Sequence, residues 1–142
     1  MECIRYKPLV DLTYCLLFAT ALLPAVAVVV AAAFHPPLFF VAIPTLLFVA
    51  YFAFSSLFGY VELRERSVFV KLGFFMKREI AYSDIRRVER ERKLYSESMT
   101  SLKNALEHVN IRYGSFDVLT VSVVDNDAFA VALKKRCGMM NE

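Results

Sequence analysis

The densest charge in the chain is the run Arg-Arg-Val-Glu-Arg-Glu-Arg-Lys at residues 86–93. On a β-strand, where alternate side chains share a face, Arg86, Arg90 and Arg92 are predicted to lie together. Basic residues near an anionic leaflet contribute about 1 kcal/mol each to binding. The three arginines are therefore the candidate surface for anionic lipid head groups or for a partner. The alternative is a solvated strand whose interleaved glutamates neutralise them.

Residues able to carry catalysis are few and scattered. The two histidines, His35 and His108, lie in different parts of the chain, and no Gly-rich phosphate loop, GxSxG or HExxH motif is present. Asp125 and Asp127 are more simply explained as helix caps than as calcium ligands, which would need several more oxygen donors. The cysteines form no CxxC pair and no cluster with histidine, so zinc and a disulfide framework are poorly supported: Cys3, Cys15 and Cys137. The sequence predicts no enzyme, no metal and no cofactor.

Charge divides the 142 residues into two unequal parts. Residues 1–58 carry two basic and two acidic side chains, which leaves 15 of the 17 Lys and Arg and 12 of the 14 Asp and Glu for residues 59–142. The net charge of +3 is too small to predict nucleic-acid binding. This change in composition predicts a domain boundary, with residues 1–58 as one unit and residues 59–142 as the other.

The first unit contains two uncharged runs, residues 12–34 and residues 38–58, separated by His-Pro-Pro. About 20 apolar residues in a helix cross a bilayer core, so both runs predict transmembrane helices that form a hairpin. A cleaved signal peptide is the first alternative, although its apolar region is normally about 7–15 residues long. The second alternative, buried helices of a soluble protein, would need more polar chain than 84 residues provide.

The flanking charges predict the orientation of this hairpin. Arg5 and Lys7 precede the first run, Arg64 and Arg66 follow the second, and the His-Pro-Pro turn has no Lys or Arg. Since positively charged flanks stay in the cytoplasm, we expect a multi-pass cell-membrane protein with both termini cytoplasmic.

The second unit has the two-residue periodicity of half-buried β-strands. Tyr-Val-Glu-Leu and Ser-Val-Phe-Val-Lys-Leu, joined by a short turn, predict a hairpin, and Met-Lys-Arg-Glu-Ile-Ala-Tyr predicts a third strand. Two further strands are expected around residues 108–113 and 116–124. Residues 83–95 fit either a helix or a strand with a bulge, and residues 96–107 fit a loop or a short helix. We expect about six antiparallel strands that form an open barrel or curved sheet.

A helix with both ends marked follows the last strand. Asp125 or Asp127 is the expected N-cap, Gly138 is the expected C′ residue, and three basic residues occupy the last turn: Lys134, Lys135 and Arg136. Phe129, Ala132 and Leu133 lie at helical spacing and predict the apolar face that plugs the open end of the sheet.

These segments resemble the bacterial pleckstrin-homology-like (PH-like) domains of small membrane proteins. The resemblance covers about residues 60–136 and rests on three features: an I-x-Y-x-x-I stretch at Ile80, Tyr82 and Ile85; a V-x-I-x-Y-G strand at Val109, Ile111, Tyr113 and Gly114; and an Asp-led helix with Phe129 and Leu133. It implies a strand for residues 83–93. His108 departs from the pattern, in which a basic residue is expected.

The resemblance implies an interaction module, because its motifs mark fold positions and not catalysis. Our first hypothesis is a membrane-anchored, non-enzymatic PH-like module that binds a protein or peptide partner at the cytoplasmic face. The alternative is a sensor of anionic lipid head groups through Arg86, Arg90 and Arg92. Salt separates the two, since screening weakens lipid attachment but not an apolar protein contact. The partner is unidentified, and homo-oligomerisation stays open.

Overall fold

The computed structural model describes residues 3–55, 57–95, 98, 101–102 and 105–139. Two long apolar helices come first: α1 spans Leu12–Phe34 and α2 spans Phe39–Ser55, with a short 3-10 turn at Pro36–Leu38 between them. Two helical spans, Leu12–Phe34 and Pro36–Ser55, are long and apolar enough to cross a membrane, and the second of them includes the 3-10 turn. They indicate membrane association. The second helix ends three residues before the predicted limit at residue 58.

The two helices pack against each other through small side chains. Ala25, Ala32 and Ala42 are buried, while most of the large apolar side chains of both helices are exposed. Small residues allow helix backbones to approach closely, and an apolar surface facing outwards is stable in lipid. The helical hairpin is therefore built as membrane-spanning pairs are. Pro24 and Pro44 lie inside the helices, as the sequence predicts.

Two four-stranded sheets form the rest of the molecule. The first has the order β1-β2-β3-β4, with β1 at Ile4–Tyr6, β2 at Tyr60–Leu63, β3 at Ser67–Leu72 and β4 at Met76–Ala81. The second has the order β5-β7-β8-β6, with β5 at Ile85–Arg92, β6 at Ser101–Leu102, β7 at Glu107–Tyr113 and β8 at Asp117–Val121. The strands form a curved sheet and not a closed barrel.

The alternating apolar residues of both sheets face a single core. Val61, Val70, Ile111 and Leu119 are among the residues without any exposed surface. Helix α3, Asn126–Arg136, covers this core with Phe129 and Leu133, as predicted. The Asp125 carboxylate accepts a hydrogen bond from the Ala128 N–H at 2.9 Å, which identifies Asp125 as the N-cap.

Strand β1 was not predicted, because the segment that contains it is too short to show a period. Ile4–Tyr6 pairs antiparallel with β2, with Ile4 opposite Leu63 and Tyr6 opposite Val61. The chain then crosses to the second sheet, where the Leu9 N–H donates to the Ser122 carbonyl at 3.1 Å. The segment before α1 is thus hydrogen-bonded to strands on both sides of the core.

Within residues 83–95, Ile85–Arg92 form strand β5 and not an α-helix, after a short 3-10 turn at Tyr82–Asp84. A β-bulge lies between Ile85 and Arg87. The predicted loop or short helix at residues 96–107 lies partly outside the described residues. Its described residues Ser101–Leu102 form β6, a further strand that runs parallel to β8. We did not expect this parallel pair because two residues carry no readable pattern.

Candidate functional site

The candidate site lies along β5, at one edge of the second sheet. Among the described strands, β5 has β7 as its single neighbour, so its other side carries no paired strand. Helix α3 packs across β5 and β7 and runs beside this open edge. A groove of about 440 Å³ lies between them, lined by Arg86, Arg87, Val88, Glu89, Arg90, Glu91, Lys134 and Met139. We call it the β5 groove.

Most charges of the β5 groove are already paired. Glu89 accepts a hydrogen bond from Arg112 Nε at 3.2 Å and lies 2.9 Å from Arg87 Nη2. Glu91 lies 2.9 Å from Lys93 Nζ. The hydrogen bond from Lys93 is the main reason that the pKa of Glu91 is lowered. These carboxylates are therefore neutralised from within their own sheet.

Two cations of the groove stand apart from this network. Within the described residues, Arg86 and Lys134 form no ion pair with a carboxylate. Both side chains are exposed. The groove therefore combines an open strand edge with two cationic positions that an acidic ligand can neutralise.

The structure disperses the three arginines of the sequence prediction. Arg86 lies in the bulge and is outside the regular alternation, so the common face predicted for the three side chains holds only for Arg90 and Arg92. Arg90 is tied to Asp127 of α3 and lies 3.3 Å from Glu107. Arg92 lines a different cleft, beside Leu9–Leu12 at the start of α1.

The other residues that were considered for catalysis or metal binding have structural roles. His35 caps the end of α1, and His108 is fully buried with Nδ1 2.9 Å from the Leu106 carbonyl oxygen. Asp125 caps the start of α3, and Asp127 lies in its first turn. Burial raises the pKa of the Cys137 thiol, which lowers its reactivity. Across the described part of the chain, no group of three or more His, Cys, Asp or Glu could hold a metal ion.

Lys134 and Met139 are functional candidates that sequence reasoning missed. Lys134 was assigned only to the helix end, where a cation complements the exposed carbonyl groups. Its position beside Arg86 depends on how α3 crosses β5, and no local pattern reports a crossing between segments about 50 residues apart.

Comparison with known protein families identifies the domain in the second half of the chain. The model of a family described as bacterial PH domain matches residues 59–137, which is more than half of the sequence. The chain belongs to the bacterial PH domain family. Searches among curated proteins and among solved structures found no match to this chain. Domains of this family are generally non-catalytic interaction modules.

The motif residues of the PH domain have roles in its core. Ile80 and Ile85 are buried, and between them the Tyr82 hydroxyl donates to the Arg64 carbonyl at 2.7 Å. Val109 and Ile111 of β7 are fully buried, and Gly114 has a positive φ in the β7–β8 turn. The motif therefore specifies packing and turn geometry, and the ligand has to be inferred from the surface.

Proposed function

We propose that this protein is a membrane-anchored, non-enzymatic interaction module whose PH domain binds an extended segment of a partner protein along the β5 groove at the cytoplasmic face. The observation that carries the proposal is the open edge of β5 beside α3. An extended peptide can add to such an edge through main-chain hydrogen bonds, while pockets for its side chains provide specificity.

The pairing of β1 with β2 supports the topology. These strands lie on either side of the helical hairpin in the sequence, so their pairing requires both chain segments to be on one side of a membrane. Two crossings satisfy that requirement. The basic residues that flank the helices, Arg5, Lys7, Arg64 and Arg66, favour the cytoplasm for that side.

The charges of the groove indicate the chemistry of the partner. Arg86 and Lys134 are exposed cations at a site whose own glutamates are already neutralised. A partner segment with acidic side chains at these two points would form ion pairs and would be steered towards the groove by its charge. We therefore infer a partner with an acidic, extended segment.

The geometry favours this hypothesis over lipid sensing through Arg86, Arg90 and Arg92. Arg86 and Arg92 are six residues apart on β5, which corresponds to about 20 Å in a strand. Arg90 lies between them and is held by Asp127 and Glu107. Three cations arranged in this way do not form a single surface that could bind a head group.

Photocrosslinking in cells that express the full chain tests the proposal. A photoreactive amino acid at Met139, which lines the β5 groove, should capture a partner. The double change Arg86→Glu with Lys134→Glu should reduce the adduct at least about tenfold, since opposed charges in an interface cost several kcal/mol.

The matched control is Arg66→Glu with Lys135→Glu. It makes the same change of net charge at exposed positions outside the β5 groove, and Lys135 is the neighbour of Lys134 on α3. The adduct should survive in the control. Equal loss in both double variants would indicate long-range charge alone, and an unchanged adduct in both would refute binding at the β5 groove.

A further inference from the structure

The turn between β3 and β4 is apolar at the surface. It consists of Gly73, Phe74, Phe75 and Met76, and the last three side chains are exposed, with Phe75 at 80%. Apolar rings that protrude from a turn into water are unfavourable, because an apolar side chain is stabilised by removal from water. We call residues 73–76 the aromatic turn.

The aromatic turn lies against the last turn of α2. Gly73 has φ +70°, and a Cβ atom there would lie 2.8 Å from the Ser55 Cβ, so glycine permits a close approach. The ring of Phe75 is nearly parallel to that of Tyr51, with centroids 6.2 Å apart and an interplanar angle of 19°. Tyr51 precedes the end of α2 by four residues, or about 6 Å along a helix. The tip of the turn is therefore level with residues inside the apolar helix.

Cations without carboxylate partners in the described chain flank the aromatic turn. Lys71 and Lys77 are directly opposite each other on β3 and β4, and Arg78 follows. None of the three forms an ion pair with a carboxylate of the described residues. Like charges opposite each other destabilise a sheet unless an anion neutralises them.

A second exposed apolar segment lies near the start of α1. The Tyr14 hydroxyl donates to the Leu94 carbonyl at 3.1 Å, and the side chains of Leu94 and Tyr95 are exposed. Aromatic rings with nearby lysines are typical of the membrane interface. The PH domain thus presents apolar side chains beside the start of α1 and beside the end of α2.

We propose that the aromatic turn inserts into the cytoplasmic leaflet, with Phe75 in the interface and with Lys71 and Lys77 among anionic head groups. The bilayer is the occupant because the turn is continuous with the surface of α2. This inference rests on the membrane location given under the proposed function. It assigns lipid contact to residues 71–78 and leaves the β5 groove to a protein partner.

The absence of tryptophan from the sequence allows a direct test with the full chain in vesicles. Phe75→Trp, Phe48→Trp in α2 and Phe116→Trp in the β7–β8 turn each introduce a unique fluorophore. Phe116 is 97% exposed and is the matched control. Phosphatidylcholine brominated on its acyl chains should quench most of the emission of the Phe75→Trp and Phe48→Trp variants and little of that of the Phe116→Trp variant.

The three variants test the insertion of the turn separately from the membrane location of the helices. Quenching of Phe48→Trp without quenching of Phe75→Trp would overturn the insertion of the turn and leave the membrane helices intact. Loss of quenching in both would overturn the membrane location itself. Met76→Trp provides a second probe of the turn if Phe75→Trp alters the circular dichroism spectrum, and its failure to be quenched would likewise overturn the proposal.

Charge-reversal variants test the contact of Lys71 and Lys77 with lipid head groups. In the Phe75→Trp background, Lys71→Glu with Lys77→Glu should reduce quenching in vesicles that contain phosphatidylglycerol, because the new charges are repelled by the anionic surface. Arg66→Glu with Lys135→Glu, an equal change of charge away from the turn, should leave quenching unchanged. Equal effects of both pairs would refute a specific contact by Lys71 and Lys77.

Discussion

Arg86 and Arg90 are of the same residue type, lie four residues apart on one strand, and have different roles. Arg90 links β5 to the start of α3 through Asp127 and to β7 through Glu107. Arg86 lies in the bulge and forms no ion pair within the described residues. Arg90 therefore links β5 to its neighbours, and Arg86 is the arginine that we propose for ligand binding.

This assignment predicts different effects of truncation on stability. Arg90→Ala should lower the free energy of unfolding by up to about 1 kcal/mol, the upper range for partly exposed ion pairs. Arg86→Ala should change it by less than about 0.5 kcal/mol, as is usual for surface substitutions. Thermal unfolding of both full-length variants in the same detergent measures the difference. Equal melting temperatures would show that the Arg90 ion pairs add no stability.

The surroundings of Glu79 predict that the stability of the first sheet depends in part on pH. The Ser67 hydroxyl donates to its carboxylate at 2.6 Å, and Arg64 Nη1 lies 3.2 Å away. The hydrogen bond from Ser67 first, and the charge of Arg64 after it, lower the pKa of Glu79 below its ordinary value of 4.5. Ionised Glu79 therefore favours the folded state above that pH.

The sign of the pH effect follows from this lowered pKa. As pH falls below about 4.5, the unfolded chain binds a proton before the folded chain does, so the contribution to stability is lost down to the folded pKa. Melting temperatures between pH 6 and pH 3.5 should fall less steeply for Glu79→Gln than for the parent. Parallel curves would contradict the lowered pKa.

At the scale of elements, α3 is held in place by its apolar face. Phe129 and Leu133 are fully buried, and Phe129 meets the ring of Tyr6 edge-on at 5.1 Å between centroids. This contact joins the last helix to the first strand. The core is thus covered by segments from both ends of the described chain.

Leu133→Asp tests the docking of α3. It would place a charge in the core without a partner, at a cost of several kcal/mol, which is a large part of the stability of a small domain. We expect loss of the cooperative thermal transition of the PH domain. Val131→Asp is the matched control, because Val131 is exposed on the same helix, and it should melt within a few degrees of the parent. Similar melting of both variants would mean that α3 is not docked.

At the scale of the whole molecule, the pairing of β1 with β2 couples the fold to the topology. A chain whose two ends lay on opposite sides of a bilayer could not form this pair. The strand pair therefore requires both ends of a membrane-spanning hairpin to lie on one side, and the basic flanks predict the cytoplasm for that side.

The proposed topology predicts the accessibility of tags placed before residue 1 and after residue 142. Both should resist protease in intact cells and be cleaved in inverted vesicles. A tag fused within the His-Pro-Pro turn should show the reverse pattern. Opposite behaviour of the two terminal tags would contradict both the topology and the strand pair that requires it.

Features that depend on neighbouring residues were predictable from the sequence. The bounds of α1, the burial of the apolar residues of β7 and β8, and the start and end of α3 follow from apolar run length, alternation and capping, which are local properties. The alternation did not predict that the polar residues His108, Asn110 and Thr120 between them are also buried. The resemblance of residues 60–136 to the PH family was also readable, because its motif residues are spaced along single strands. Both transmembrane candidates were visible for the same reason.

Features that join distant segments were decided by the tertiary structure alone. Strand β1 exists because Ile4 meets Leu63 across the length of the hairpin. The β5 groove exists because α3 crosses beside Arg86, and the aromatic turn is a candidate membrane contact because Gly73 meets Ser55. The three arginines looked equivalent in sequence, yet the bulge and the ion pairs of Arg90 separate them. Alternation and run length report which face of a segment is apolar, but the partner of that face is chosen by the packing of the whole chain.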